Sequence, residues 1–195
     1  MTLVIKKQQL EQFYERWRNK VNEYKSDELS NYFDKFFTLF VIYNRIYNVV
    51  VAILHQKNEL IILKHQGKID KKNPPDDNKS ATVCVAYFLR EDLISIISDN
   101  QNQIEEFKNI IKNERFNIDL NYGKPQPQKD LNLLHGLESN DNLLIVESLL
   151  MILYKLRCNV FHAEKGYNND QKLILGPANY CLQNLVDRLI IKVTE

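Results

Sequence analysis

The sequence predicts an all-α fold, a bundle of four to five helices with a small extended or β insertion. Apolar side chains recur at intervals of three and four over most of the 195 residues, the period of an amphipathic helix. The longest apolar stretch, Glu28 to Gln56, contains neither Gly nor Pro. Clear alternation appears once, where Phe116, Ile118 and Leu120 face away from Asn117, Asp119 and Asn121. A chain of this length buries one sizeable core, so a single domain over residues 1–195 is expected.

The first helix is expected over Leu3 to Lys25, from Leu10, Phe13, Tyr14, Trp17, Val21 and Tyr24. Ser26 and Asp27 supply cap oxygens for a second over Glu28–Gln56, apolar nearly all round in its second half and therefore central. After the short apolar piece Leu60–Leu63, charge, Asn and the pair Pro74-Pro75 predict a solvated, flexible loop over 66–80. Ser80 caps an expected helix over Ala81–Asp99, and a polar-faced one follows over Gln103–Asn113. Residues 114–137 are expected to form an extended, hairpin-like insertion. In it 115–122 is a strand, Gly123 to Pro127 turn it, and Leu131–Leu137 return as its partner. Ser139, Asn140 and Asp141 cap the most regular helix of the second half, Asn142–Ala163, with Gly166 at its stop. A last helix covers Asp170–Val193, with Gly176-Pro177 either kinking it or marking its start.

Apolar content of 44%, charged content of 26% and a net charge of +1 describe a soluble globular chain without a general basic field for nucleic acid. Cys84, Cys158 and Cys181 form no C-x-x-C pair and fit a reducing cytoplasm better than a disulfide framework or a zinc site. No secretory signal is expected at Met1–Leu10. The most lipid-like window, Phe36–Leu54, contains Asn44, Arg45 and Asn48 and is read as a core helix rather than a membrane span. His55, His65 and His135 have no metal-ligand spacing, and no cofactor is called for.

The chemistry gathers in Leu149–Gly166, an apolar helical run that carries Arg157, Asn159 and His162 towards a glycine stop. On a helix Asn159 and His162 share a face, whereas Arg157 and His162 stand about 140° apart. Two copies about a two-fold axis would bring both sets to one cleft. A neutral imidazole, a fixed guanidinium and an amide suit metal-free RNA cleavage, His162 taking the 2′-OH proton while Arg157 forks onto the phosphate. Lys155, Lys165 and Lys172 flank the segment and could steer the RNA backbone. With seven arginines and four histidines in the chain, spacing alone favours a capped helix end with a structural Arg and a surface His. Asn44 and Tyr47 are read as a buried polar contact between central helices, and Tyr154 as a core aromatic.

The segment Tyr154-Lys155-Leu156-Arg157-Cys158-Asn159-Val160-Phe161-His162 resembles the R-x4-6-H signature of the HEPN superfamily. Leu39 to Asn48 is similar to the aromatic-asparagine segment on its long early helix. That resemblance implies a HEPN-like helical bundle acting as a homodimer through the Arg157–His162 segment. It further implies a metal-independent endoribonuclease of toxin-antitoxin or phage-defence systems, leaving a 2′,3′-cyclic phosphate, with an antitoxin or defence protein as partner. Arg157 and His162 take the family's catalytic positions, with Asn159 as helper. The polar residue that commonly follows the Arg is here Cys158, the Asn coming one later, and Glu164 stands where nucleotidylated members carry Tyr. The alternative is a catalytically inactive HEPN module that binds nucleotide, RNA or a protein partner.

Overall fold

The computed structural model describes residues 3–161 and 171–195, an all-α fold with one small β insertion. Its contacts divide the chain into two compact units, one of residues 1–46 with 167–195 and one of residues 47–166.

In the first unit, α1 (Leu3–Val21) packs along α10 (Lys172–Thr194), burying Leu10 and Val21 on one helix and Leu182, Leu185 and Leu189 on the other. Polar groups fix the register. The Tyr14 hydroxyl donates to Asp187 at 2.7 Å, and Arg18 reaches Asp187 at 3.1 Å and Gln183 at 2.9 Å. The first part of α2 (Leu29–Gln56) carries the ladder Phe36–Phe40–Tyr43, with ring centroids 6.0 and 5.5 Å apart. The Asn179 amide of α10 donates to the Tyr32 carbonyl at 3.0 Å. Pro177 lies inside α10, which neither starts nor stops there. By length and composition α2 could cross a bilayer, but half of its apolar window is buried inside the protein. Asn44, Arg45 and Asn48 are exposed mid-helix, where a span would meet lipid.

The second unit is built around α9 (Asn142–Phe161), whose Val146, Leu149, Leu150, Ile152, Leu153 and Leu156 are all buried. Asp141 starts it as expected, accepting from the Leu143 amide at 2.9 Å. The later part of a helical run from Asp77 to Phe88, α6 (Leu93–Asp99) and α8 (Pro127–Leu137) pack on it, α7 (Gln101–Lys112) packs on α6 and α8, and the unit also holds α3 (Leu60–His65). The 77–88 run is α4 (Asp77–Lys79), a π-helix over Ser80–Cys84, and α5 (Val85–Phe88). A π-helix of this length is a single widened turn, a feature that recurs at functional sites. All five of its residues are buried.

Three expectations are corrected. The helix expected over Ala81–Asp99 begins at Asp77, with Asp76 rather than Ser80 as its cap, and breaks at 89–92. There Leu89 is buried and Arg90 pairs with Glu59 at 3.0 Å, a tertiary fastening that helical continuation would disrupt. The extended insertion shrinks to β1 (Leu120–Asn121) and β2 (Lys124–Pro125), joined by Tyr122 and Gly123 at positive φ. Leu131–Leu137 is helix, not strand, because Pro127 opens α8 from the first turn, where its missing N–H costs nothing.

Gly136 sets how closely α8 approaches α9. A Cβ there would stand 1.9 Å from Ser148 Oγ and 2.9 Å from Ser148 Cβ, and the latter cannot be moved by a rotamer change. Gly136→Ala should therefore destabilise the protein by about 1–3 kcal/mol in urea unfolding, through overpacking. Adding Ser148→Gly should recover part of the loss despite its helix-propensity cost.

Candidate functional site

Arg157 sits near the C-terminal end of α9, half-buried, with its Nε shielded from solvent. Tyr154 is three residues earlier on the same face, and its ring centroid is 5.9 Å from the guanidinium carbon. The Tyr154 hydroxyl donates to Asp77 Oδ2 at 3.2 Å, and the buried Tyr47 hydroxyl on α2 donates to Asp77 Oδ1. Asp77 is exposed, so two phenols, one carboxylate and one guanidinium make a polar cluster that opens to solvent. Cys158 adjoins it, with its Sγ 4.0 Å from Arg157 Nη1.

The electrostatics keep the phenols protonated. Burial pushes the Tyr47 hydroxyl far above its ordinary range, and the Asp77 hydrogen bond and charge push the same way against Arg157. Tyr154 is raised too, by burial first and then by Cys158 and Asp77, with Arg157 again opposing. Both phenols therefore act as neutral donors at ordinary pH.

The other residues singled out from the sequence lie elsewhere. Asn159 is 5% exposed and its amide donates to the Ile118 carbonyl at 2.8 Å. Lys155, one turn earlier, pairs with the buried Asp119 carboxylate at 2.8 Å, to which Lys129 adds a longer contact of 3.6 Å. Asp130 of α8 accepts from the Ile118 and Asp119 amides at 3.0 and 2.7 Å. The 118–119 segment is thus clipped to both α8 and α9. Arg157 is two residues from each of Lys155 and Asn159, about 200° around the helix. Lys155 and Asn159 therefore face the hairpin, away from the arginine cluster.

Lys172 belongs to the first unit, where its ammonium contacts the Asp27 carbonyl and, at 3.2 Å, the Asp27 carboxylate, 5.7 Å from the Tyr32 ring. The Tyr32 hydrogen bond and then Lys172 hold the Asp27 carboxyl below its usual range. His162 and Lys165 lie outside the described residues. Among the described residues no group of His, Cys, Asp and Glu is arranged to hold a metal ion. Asn44 is exposed on α2, and the buried Tyr47 makes a polar contact with Asp77.

No family model, curated protein or solved structure matches this chain. The local chemistry therefore carries the functional argument. Sequence reading missed Asp77, which stands in a run of Pro, Asp, Asn and Lys that reads as solvated loop. The available signal was the cap Asp76, whose carboxylate accepts from the Lys79 amide at 2.7 Å and starts a helix at Asp77.

Two outcomes follow from these placements. Asn159→Ala should cost about 1–3 kcal/mol in chemical unfolding, because it leaves the buried Ile118 carbonyl unpaired. Ellman's reagent should titrate at most one thiol in the native protein, at Cys158. Cys84 and Cys181 are buried, and burial pushes the Cys84 thiol up to about 12.

Proposed function

We propose that this chain is a metal-independent endoribonuclease of the HEPN type, a toxin or phage-defence effector that works as a homodimer. The observation that carries the reading is the setting of Arg157. A guanidinium near the end of a core helix stands beside a solvent-opening cluster of two neutral phenols and a carboxylate. His162 follows five residues later in the sequence, the spacing of the R-x4-6-H signature.

In this scheme His162 takes the proton from a ribose 2′-OH, and the freed oxygen attacks the adjacent phosphorus. The bond from phosphorus to the 5′ oxygen breaks, and that oxygen leaves taking a proton from solvent water, to which His162 in turn gives up the proton it took. Arg157 binds the non-bridging oxygens as charge builds on them, while the Tyr154 ring stands beside the guanidinium with its hydroxyl donated to Asp77. The products are a 2′,3′-cyclic phosphate and a 5′-hydroxyl, and DNA, lacking the nucleophile, is spared. The segment 157–162 of each copy faces its image across the two-fold axis. With Lys155 paired to Asp119 and Lys172 to Asp27, steering by those lysines is a smaller part of the reading than Arg157.

A second reading, a catalytically silent HEPN module that binds nucleotide, RNA or a protein partner, draws on the inward-turned Asn159 amide. The two are separated by incubating a labelled mixed RNA in EDTA with wild type, Arg157→Ala and His162→Ala, and examining the new 3′ ends. The ribonuclease reading expects cleavage by wild type with cyclic-phosphate ends and a loss of at least about 100-fold in each variant. Equal cleavage by all three, or none by a folded dimer over several RNAs, supports the silent module.

A further inference from the structure

We propose that Asp77 is a positioning residue for Arg157, acting through the Tyr154 hydroxyl, and that the strap of residues 68–80, which carries Asp77, sets the direction of the guanidinium. Its effect on cleavage rests on the ribonuclease reading above; its effect on the arginine rests on geometry alone.

Asp77 uses both of its oxygens, Oδ1 towards Tyr47 and Oδ2 towards Tyr154. Tyr47 is 1% exposed on α2, so it is an immobile post. Tyr154 is half-buried on α9, with its backbone fixed by the helix and its hydroxyl fixed by Asp77. A phenol held at both ends presents a ring in one orientation, and Arg157 lies against that ring at 5.9 Å. Without the carboxylate, the Tyr154 hydroxyl would turn to solvent and the surface that orients the guanidinium would move with it.

The strap is fastened in a way that suits this role. Lys68 pairs with Glu147 of α9 at 2.8 and 2.9 Å, and Ile69 beside it is buried. Glu147 and Tyr154 are seven residues apart on α9 and lie on one face, so the strap runs along about two helical turns. Asp70 caps the Lys72 and Asn73 amides at 2.7 and 2.9 Å, and Ser80 Oγ donates to the Pro75 carbonyl at 3.3 Å. The π-helix then anchors the far end of the strap with five buried residues against α9. Asp77 is the exposed side chain at the point where the strap becomes helix, and its carboxylate is occupied by two phenols rather than by reacting atoms.

The test combines RNA cleavage with the Nε–Hε NMR signal of Arg157, assigned by its disappearance in Arg157→Lys. The shielded Arg157 Nε should give a protected signal in wild type. Asp77→Ala and Tyr154→Phe should each speed its exchange with solvent at least about fivefold and lower kcat about tenfold with KM little changed. The double variant should lose no more than either single one, since both break the same link. Asp77→Asn, which keeps one acceptor oxygen, should recover part of kcat. Multiplying losses in the double variant, or an unchanged Hε signal in Asp77→Ala, would overturn the proposal. A wild type that cuts no RNA would sink the ribonuclease reading instead, and the Hε signal would still decide the positioning role.

Discussion

A helix buried around most of its circumference must find an internal partner for every polar group it carries, and in the second unit that helix is α9. Each polar side chain that points inward names one piece of the surrounding chain. Glu147 holds Lys68, Tyr154 meets Asp77, Lys155 meets Asp119, and Asn159 takes the Ile118 carbonyl. Left unpaired, each would cost more than an ordinary hydrogen bond gains, because burial removes the water that would otherwise serve. Hydrophobic burial makes α9 central. Its few polar residues decide where the connecting segments lie.

The same logic separates the two faces of the last turns of α9. Lys155 and Asn159 share a side and are spent on the 118–119 segment, whose own amides are taken by Asp130. Arg157 stands on the other side with Tyr154 and Cys158. Asp119 shows why the first side is closed. A carboxylate only 3% exposed requires a cation, and Lys155 is the nearer of the two that supply it.

Much of the fold was legible because helical periodicity is local. The span of α2 and the start of α9 at Asp141 follow from apolar spacing and caps, whereas α10 runs on through the Gly176-Pro177 pair that could equally have marked its start. What failed was decided by partners distant in sequence or by competing local signals. Two prolines and a glycine made 123–137 look like a turn and returning strand, although Leu131, Leu134 and Leu137 already kept a spacing of three. The break at 89–92 has no Gly or Pro to announce it and depends on Glu59 reaching Arg90. At the candidate site Arg157 was visible as a charge on an apolar helix. Asp77 was not, because its meaning lies in two phenols, one of them 77 residues further on. Asn159 looked available for chemistry because nothing in the residues beside it reveals the carbonyl it binds.

The π-helix at Ser80–Cys84 makes the placement of Asp77 a matter of counting. A π turn holds one residue more than the α turn it replaces, and one residue corresponds to about 100° of rotation around the axis. Removing a single residue from this buried stretch would let it relax to an ordinary α-helix with its apolar character intact. Everything N-terminal to it would then swing by roughly a quarter turn, carrying Asp77 away from both phenols. Change at this position is therefore tolerated differently by kind: a substitution alters packing, whereas an insertion or deletion redirects the strap, and a lineage that gained or lost the extra residue would have the same helices with a different cluster beside Arg157.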